Sequence, residues 1–173
     1  MKVRITSLGC RLNQSEIESV STALQEAGHS VVFTGPADVY IINACAVTSR
    51  SERKTRQLIY RAMEMCGAHD PGRIIVTGCA GEETRRDSNI TYVSNDRKYL
   101  IPRLVAGMKL SDIEQMEAAR FAYHAPLRCS TNRVNLKIQD GCDNFCAYCI
   151  IPFMRGAPVS RPAADVVAEF RLL

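Results

Sequence analysis

The stretch Val3-Arg4-Ile5-Thr6-Ser7-Leu8-Gly9-Cys10 predicts a short buried strand that ends at a glycine and a cysteine. Two later apolar runs end in the same way, at Asn43-Ala44-Cys45 and at Thr77-Gly78-Cys79. Helical patterns separate these runs. Because strands alternate with helices of this length in sheets whose strands run parallel, the sequence predicts an α/β fold, a parallel sheet flanked by helices.

The helices between the strands are predicted from apolar spacing and from signals at their ends. In the first helix, Asn13 and Glu16 form a candidate capping box, and the apolar face continues until Gly28 ends the helix. A long second helix is predicted from Ser49 to Gly67. Weaker signals predict two further strands and a short helix, at His29–Phe33, at Ile90–Val93 and near Pro102.

Cys10, Cys45 and Cys79, called the edge cysteines below, each follow a predicted strand. In a parallel sheet the carboxyl ends of the strands lie at one edge, where the loops converge on a crevice. We therefore expect the three sulfurs to meet there and to hold a metal cluster. The alternative is that each is a structural thiol, although such a thiol more naturally lies within a strand or on a helix face, as Cys66 does.

A second group of cysteines lies in Ile138-Gln139-Asp140-Gly141-Cys142-Asp143-Asn144-Phe145-Cys146-Ala147-Tyr148-Cys149, directly after a predicted strand at Val134–Ile138. Cys142, Cys146 and Cys149, called the loop cysteines below, can turn three sulfurs toward one centre, and no fourth Cys or His follows at ligand spacing. A structural zinc site has four ligands, and bacterial ferredoxins space their cysteines differently. A [4Fe-4S] cluster with one free iron is therefore favoured over zinc and over unligated buried thiols.

The residues around the loop cysteines resemble those of a known family. Gln139-Asp140-Gly141-Cys142 precedes the motif, and Ile151-Pro152-Phe153-Met154-Arg155-Gly156 and Ser160-Arg161-Pro162 follow it, as in the methylthiotransferase family of radical S-adenosylmethionine enzymes. The edge cysteines match three cysteines of the N-terminal domain of that family. Cys66 and Cys129 match no position that we can assign.

The resemblance implies two [4Fe-4S] clusters and S-adenosyl-L-methionine as cofactors. It assigns to the loop cysteines the cluster whose free iron binds S-adenosylmethionine and whose electron cleaves it to a 5'-deoxyadenosyl radical. It assigns to the edge cysteines an auxiliary cluster implicated in sulfur delivery. A tRNA substrate and a low-potential electron donor of the flavodoxin or ferredoxin type are also implied, whereas no catalytic residue beyond the cluster ligands is assigned.

The branch of the family is indicated by the residues after the first cysteine. Cys10-Arg11-Leu12-Asn13-Gln14-Ser15-Glu16 is most similar to the branch that acts on N6-threonylcarbamoyladenosine beside the anticodon of tRNA, and Lys137-Ile138-Gln139-Asp140-Gly141 points to the same branch. The branch acting on isopentenyladenosine usually shows Gln-Met-Asn after its cysteine, and the ribosomal-protein branch shows Pro-Lys-Asn. Both stay open as alternatives.

The charge of the chain is mild. A net charge of +4 permits a polyanionic partner without requiring one. The predicted second helix carries four basic residues that either meet tRNA phosphates or form an ordinary solvated face: Arg53, Lys54, Arg56 and Arg61. For Arg155, a functional role and an ion pair within the fold are equal alternatives.

The N-terminus enters a strand at once and lacks the apolar run of a signal peptide, and no stretch of about 18 apolar residues is present. We therefore expect a cytoplasmic protein without a membrane partner. In that reducing compartment, eight cysteines indicate metal or redox chemistry rather than a disulfide framework.

Three regions are predicted along the 173 residues: an N-terminal methylthiotransferase domain over 1–107, a linker over 108–131 with a helical piece around Asp112–Arg120, and the start of a radical S-adenosylmethionine domain over 132–173. The last region is predicted to hold one strand and a helix over Pro162–Leu173, capped by Ser160. Because a barrel normally needs on the order of 200 residues or more, we expect a truncated barrel and an inactive fragment. The apolar residues of this helix are then expected either to face solvent or to be covered by the first domain.

Two interpretations from other functional classes stay open. The first is a non-catalytic iron-sulfur protein, either an electron carrier or a scaffold. Cleavage of S-adenosylmethionine distinguishes it from the enzyme, because a cluster with four protein ligands has no iron free to bind that molecule. The second is a zinc-stabilised nucleic-acid-binding module, which would be colourless.

Overall fold

The computed structural model describes residues 1–66, 73–80, 82–122 and 134–173. Three features of the sequence analysis lie outside these residues: the predicted helix end at Gly67, Cys129, and the predicted domain boundary at residues 131 and 132.

A five-stranded parallel sheet forms the centre of the fold, which confirms the predicted α/β class. Its strands are β1 (Lys2–Ser7), β2 (Ser30–Val32), β3 (Val39–Cys45), β4 (Ile74–Cys79) and β5 (Thr91–Tyr92). They lie in the order β2-β1-β3-β4-β5. The order reverses between β1 and β3, and crevices at the carboxyl end of such a reversal are the usual place for ligands in open parallel sheets.

Both faces of the sheet are covered by helices, so β3 is buried along its whole length. Successive residues of a strand point to opposite faces. Ile41 therefore packs on the side of α1 (Arg11–Glu26) and α4 (Ile101–Val105), whereas Ile42 packs on the side of α2 (Ser49–Cys66). Burial of each such side chain contributes roughly 1.5–3 kcal/mol, which makes the two apolar layers the main support of the sheet.

Short helices complete the first part of the chain: α3 (Glu82–Arg86), a 3-10 helix (Asn95–Leu100) and α5 (Leu110–Gln115). Ile113 of α5 is buried, and α5 contacts the 3-10 helix. The contacts of the first domain therefore extend into the segment predicted as a linker, while the domain boundaries themselves stay predictions.

The first helix begins earlier than its predicted capping signal. Cys10 occupies the N-cap position of α1, without a side-chain hydrogen bond at the cap. The predicted capping box of Asn13 and Glu16 is wrong, because both side chains are 1% exposed and lie inside the helix. Their polar groups bind partners from other elements instead of the helix end.

The last part of the chain forms β6 (Gln139–Asp140), α6 (Ile151–Arg155), β7 (Val159–Ser160) and α7 (Ala163–Leu172). β6 and β7 pair antiparallel. The strand predicted over Val134–Ile138 is wrong, because β6 covers only the two residues that follow this run. Within the run, Lys137 is buried and Ile138 is 58% exposed. The apolar residues Val134 and Ile138, on which the predicted strand is based, are exposed, whereas the charged Lys137 is buried.

The final helix agrees with its prediction in position but not in its cap. Pro162 is at the N-cap of α7, and Ser160, the predicted cap, lies in β7. Val167 and Phe170 are 46% and 71% exposed, which confirms that this helix turns apolar residues to solvent. None of the helices in the described part of the chain is both long enough and apolar enough for a membrane span.

We expect Gly78→Ala to destabilise the domain far more than the matched control Gly107→Ala. Both glycines have positive φ, +92° and +102°, so alanine strains the backbone by about 1–2 kcal/mol at either position. Only at Gly78 does the added Cβ meet the Ala44 carbonyl oxygen at 2.6 Å, whereas nothing lies within 4 Å at Gly107. Urea unfolding should give Gly78→Ala an extra loss of about 2 kcal/mol or more. Equal losses would contradict the close approach of β3 and β4.

Candidate metal centre

The edge cysteines lie at the carboxyl edge of the sheet, as predicted from their positions after strands. Cys45 and Cys79 are the last residues of β3 and β4 and are partners in the register of these two strands. Both are buried, at 6% and 3% exposure. Cys10 is exposed at the start of α1.

Gly9 brings the Cys10 loop against Cys45. Its φ is +104°, and a Cβ placed on it would lie 3.0 Å from Cys45 Cβ and 3.1 Å from Cys45 Sγ. Thr55 of α2 holds Cys45 from the other side, because its hydroxyl donates to the Cys45 carbonyl at 3.1 Å. The residue directly before Cys10 therefore lies against the end of β3 at Cys45.

The described residues contain no group of three His, Cys, Asp or Glu side chains already arranged to hold a metal ion. The edge and loop cysteines are all free thiols. As a donor set, three soft thiolates without a fourth protein ligand suit an iron-sulfur cluster with an open iron better than a closed zinc site. The ligand roles of the six cysteines stay predictions that this donor chemistry fits.

The loop cysteines lie on a segment that is more open to solvent. Cys146 is exposed, and Cys142 and Cys149 are half-buried. The loop is anchored where the Cys142 amide donates to the Gly156 carbonyl at 3.0 Å and where Gly141, at φ +81°, passes the backbone of residue 157 too closely for a side chain. Phe145, with a φ of +46°, packs edge-to-face on the Phe153 ring, and both rings are largely exposed.

A buried charge cluster joins the first helix, the 3-10 helix and the segment that carries the loop cysteines. Lys98 Nζ donates to Glu16 Oε2 at 2.6 Å, and Lys137 Nζ and Arg155 Nη1 both donate to Glu16 Oε1 at 2.8 Å. Asp140 accepts from Lys137 Nζ at 2.8 Å and from Arg155 Nη1 at 2.9 Å. These five side chains, the buried charge cluster, are between 0% and 4% exposed.

Two asparagines connect the buried charge cluster to the strand ends. Asn13 Oδ1 accepts from Arg155 Nη2 at 2.6 Å, while Asn13 Nδ2 donates to the carbonyls of Leu8 and Ala44 at 3.1 and 2.9 Å. Asn43 Oδ1 accepts from Lys98 Nζ at 3.1 Å. Because Leu8 and Ala44 closely precede Cys10 and Cys45, these hydrogen bonds fix the backbone that carries two edge cysteines.

The cluster shifts the pKa values of its members. Burial favours the neutral form of Glu16, but the charges of Lys98, Arg155 and Lys137 outweigh it and hold the pKa of Glu16 well below its usual range. Burial also disfavours the charged form of Arg155, yet its bonds to Glu16 raise the pKa of Arg155 further. Burial lowers the pKa of Lys98, and the Arg155 charge lowers it further, although the Glu16 carboxylate acts to raise it.

Cys79 is an edge cysteine whose thiol pKa is influenced by the charges of this cluster. Burial raises the pKa of the Cys79 thiol, whereas the Arg155 guanidinium, by charge and hydrogen bonding, and the Lys98 ammonium both act to lower that pKa. Arg155 and Lys98 thus act electrostatically on one of the edge cysteines.

Sequence reasoning missed this cluster. It assigned Glu16 to a helix cap, and for Arg155 it left open the ion pair that the structure contains. Only the short spacing of Lys137 and Asp140 could have indicated a pair, since the contacts from Glu16 to Lys98, Lys137 and Arg155 span 82, 121 and 139 residues.

The basic residues of α2 lie on the surface. Five of them, each exposed, are Arg50, Arg53, Lys54, Arg56 and Arg61. The helix begins four residues after Cys45, so this basic face starts near the candidate metal centre. It is the most prominent positively charged surface that the sequence analysis singled out, and a contact with RNA stays a prediction.

Comparison with known proteins places these observations in a family context. Residues 2–96 match the model of the Uncharacterized protein family UPF0004. The chain is 36% identical over 173 residues to the threonylcarbamoyladenosine tRNA methylthiotransferase MtaB of Chlamydia pneumoniae, covering 96% of this chain and 38% of the relative. It is 32% identical to the MtaB protein of Bacillus subtilis, covering 99% of this chain and 40% of that relative.

Another similar protein carries a different substrate name. The tRNA-2-methylthio-N(6)-dimethylallyladenosine synthase of Novosphingobium aromaticivorans is 32% identical over 181 residues, covering 98% of this chain and 40% of the relative. The chain therefore spans about two fifths of the length of these curated relatives.

Glu16→Gln is expected to destabilise the fold by about 3–5 kcal/mol, because it leaves three buried cations facing a single carboxylate. The matched control is Glu64→Gln on the exposed surface of α2, which should change the free energy of unfolding by less than about 0.5 kcal/mol. Urea unfolding at pH 7 measures both. A small effect of Glu16→Gln would show that the ion pairs are weak.

The contribution of Glu16 to stability should depend on pH in a defined direction. The pKa of Glu16 is lower in the folded than in the unfolded chain, so its contribution is fully present above about pH 4.3 and is lost as the pH falls below that value. Unfolding of the wild type and Glu16→Gln at several pH values measures this. Their difference in free energy should shrink on acidification, and a constant difference would contradict the assignment.

Proposed function

This chain belongs to the UPF0004 family, and we propose that it carries the two cluster-binding regions of a radical S-adenosylmethionine tRNA methylthiotransferase. The observation that carries the proposal is the position of the edge cysteines. Cys45 and Cys79 are register partners at the ends of neighbouring strands, and the Cys10 loop contacts Cys45. The names of the similar proteins support the same activity.

The six cysteines are proposed as ligands of two [4Fe-4S] clusters. When bound, the cluster at the loop cysteines supplies the electron that cleaves S-adenosylmethionine, and the cluster at the edge cysteines takes part in delivering sulfur. The chain prepares these sites differently. Cys45 and Cys79 are held at the ends of paired strands, whereas the loop cysteines lie on an open segment that a small molecule can reach.

The substrate is proposed to be N6-threonylcarbamoyladenosine beside the anticodon of tRNA. The residues Cys10-Arg11-Leu12-Asn13 and the run Lys137-Ile138-Gln139-Asp140-Gly141 support this branch. In these runs, Asn13 bonds the carbonyl of Ala44 near the end of β3, and Lys137 bonds Glu16 in the buried charge cluster. In this arrangement both side chains have structural roles and neither is assigned a contact with substrate. The dimethylallyl-adenosine branch is the alternative, because similar proteins carry both names.

The partners and location follow from this proposal. The exposed basic residues of α2 are proposed to meet tRNA phosphates, since mobile positive charge at a surface binds the phosphate backbone. A low-potential electron donor of the flavodoxin or ferredoxin type is proposed as the reductant, in the cytoplasm.

Substitutions should separate the two groups of cysteines. In the full-length enzyme, Cys142→Ala should abolish cleavage of S-adenosylmethionine, whereas Cys45→Ala should leave cleavage but no thiolated product. Cys66→Ser on α2 is the control, because Cys66 lies near the far end of that helix and has no assigned role. Production of 5'-deoxyadenosine and of modified nucleoside are the two measurements. Equal loss of cleavage in Cys142→Ala and Cys45→Ala would contradict separate roles.

The experiment that tests the function is mass spectrometry of tRNA nucleosides from cells lacking the gene. Loss of the methylthio group from threonylcarbamoyladenosine, restored by the wild-type gene, is the expected result. Loss from the dimethylallyl nucleoside would assign the other branch. Unchanged tRNA would favour the ribosomal-protein branch or a non-catalytic iron-sulfur protein.

A further inference from the structure

A cavity lies where β5 and the 3-10 helix meet the segment that carries the loop cysteines. Its volume is about 230 Å³, and its wall includes Arg85, Tyr92 and Asn95 of the first part of the chain and Met154 and Gly156 of the last part. Pockets that enclose a whole drug-sized molecule are larger, about 300–1,000 Å³. This cavity, called the polar cavity below, therefore fits one group of a larger ligand.

Both groups of cysteines adjoin the polar cavity through neighbouring residues. The Tyr92 hydroxyl donates to the carbonyl of Gly78, directly before Cys79, at 3.3 Å. On the other wall, Gly156 accepts from the Cys142 amide at 3.0 Å. A substrate atom that both centres must reach therefore has to lie close to this cavity.

Two arginines of the wall are held by neutral partners. The Arg85 guanidinium lies over the Tyr92 ring, 5.2 Å from its centroid, and Arg85 Nη2 contacts Met154 Sδ at 3.6 Å. Arg120 Nη1 donates to the Ala157 carbonyl at 2.8 Å. Within the residues that the structure describes, neither guanidinium has a carboxylate partner.

The acidic residues of the wall, in contrast, already have cationic partners. Asp140 accepts from Lys137 and Arg155 at 2.8 and 2.9 Å, and Asp96 pairs with Arg97 at 3.4 Å. The cavity therefore offers two guanidinium groups to an incoming anion. The planar fork of a guanidinium matches the two oxygens of a carboxylate.

We propose that Arg85 and Arg120 bind the carboxylate of the threonylcarbamoyl group of the substrate nucleoside. The inference rests on the proposed function, in which both centres act on one modified adenosine. Asn95 complements the two cations, because its buried Oδ1 has no hydrogen-bond partner in the described part of the chain and the threonylcarbamoyl group carries N–H and O–H donors. The dimethylallyl group has neither a carboxylate nor a donor. The polar cavity thus selects the first nucleoside over the second.

The test uses the full-length enzyme and two anticodon stem-loops that differ in one group. One carries N6-threonylcarbamoyladenosine, and the other carries the same nucleoside with its carboxylate converted to a primary amide, which keeps the shape and removes the charge. Calorimetric titration measures binding, and formation of the methylthio product gives KM and kcat. The variants are Arg85→Gln and Arg120→Gln. The matched control is Arg103→Gln, because Arg103 is exposed on α4 and does not line the polar cavity.

Each cavity variant should weaken binding of the carboxylate stem-loop and raise its KM by about 10- to 100-fold, as expected for loss of a hydrogen bond between charged groups. The wild type should prefer the carboxylate to the amide, and the cavity variants should bind the amide as the wild type does. Arg103→Gln should match the wild type on both stem-loops. Equal weakening of both stem-loops by the cavity variants would overturn the inference.

The outcomes separate the inference from the function on which it rests. If the wild type modifies no threonylcarbamoyladenosine stem-loop, the proposed substrate and this inference both fail. If it modifies that stem-loop but does not distinguish the carboxylate from the amide, the inference alone is overturned. If Arg120→Gln does not fold, because Arg120 also bonds Ala157, then Arg85→Gln still decides, since Arg85 is exposed.

Discussion

The carboxylate of Glu16 is the contact on which the arrangement of the two cysteine groups depends. It accepts hydrogen bonds from Lys98 in the 3-10 helix, Lys137 before β6 and Arg155 at the end of α6. Removing such charges from water costs several kcal/mol per ion, and this cost is offset because both Glu16 oxygens are satisfied by cations. Since well-packed apolar residues often stabilise a core as well as buried ion pairs do, we infer that the main contribution of this cluster is the geometry it imposes on the segments it joins.

The buried charge cluster connects the parallel sheet, which is buried, to the loop cysteine segment, which is open to solvent. Cys45 and Cys79 are held on paired strands beneath two apolar layers, and Cys10 approaches them from the exposed start of α1. The loop cysteines lie outside this core, on a loop tied by short backbone contacts at Gly141 and Cys142. Arg155 extends from the end of that open segment to Glu16 and Asn13, and so connects the loop segment to the end of the sheet.

The same constraint explains why several polar residues do not behave as local rules predict. Asn13 and Glu16 have the spacing of a capping pair, but neither side chain caps α1. Asn13 accepts from Arg155, and Glu16 accepts from Lys98 and Lys137. Along Val134–Ile138, the lysine is buried and the isoleucine is exposed, because the ammonium must reach two carboxylates. In both places a charge-assisted contact outweighs a local preference worth about 1 kcal/mol.

Sequence alone determined the α/β class, the approximate positions of the main strands and helices, and the candidate ligands of the two centres, because alternating apolar runs and short cysteine spacings are local patterns. It also placed the edge cysteines at one edge of a sheet, since parallel strands share the direction of their ends. Only the tertiary structure decided that Cys45 and Cys79 are direct register partners and that Glu16 gathers Lys98, Lys137 and Arg155. The contacts of Glu16 join residues 82 to 139 positions apart, and no local pattern specifies which buried carboxylate a distant cation will meet once both have left water.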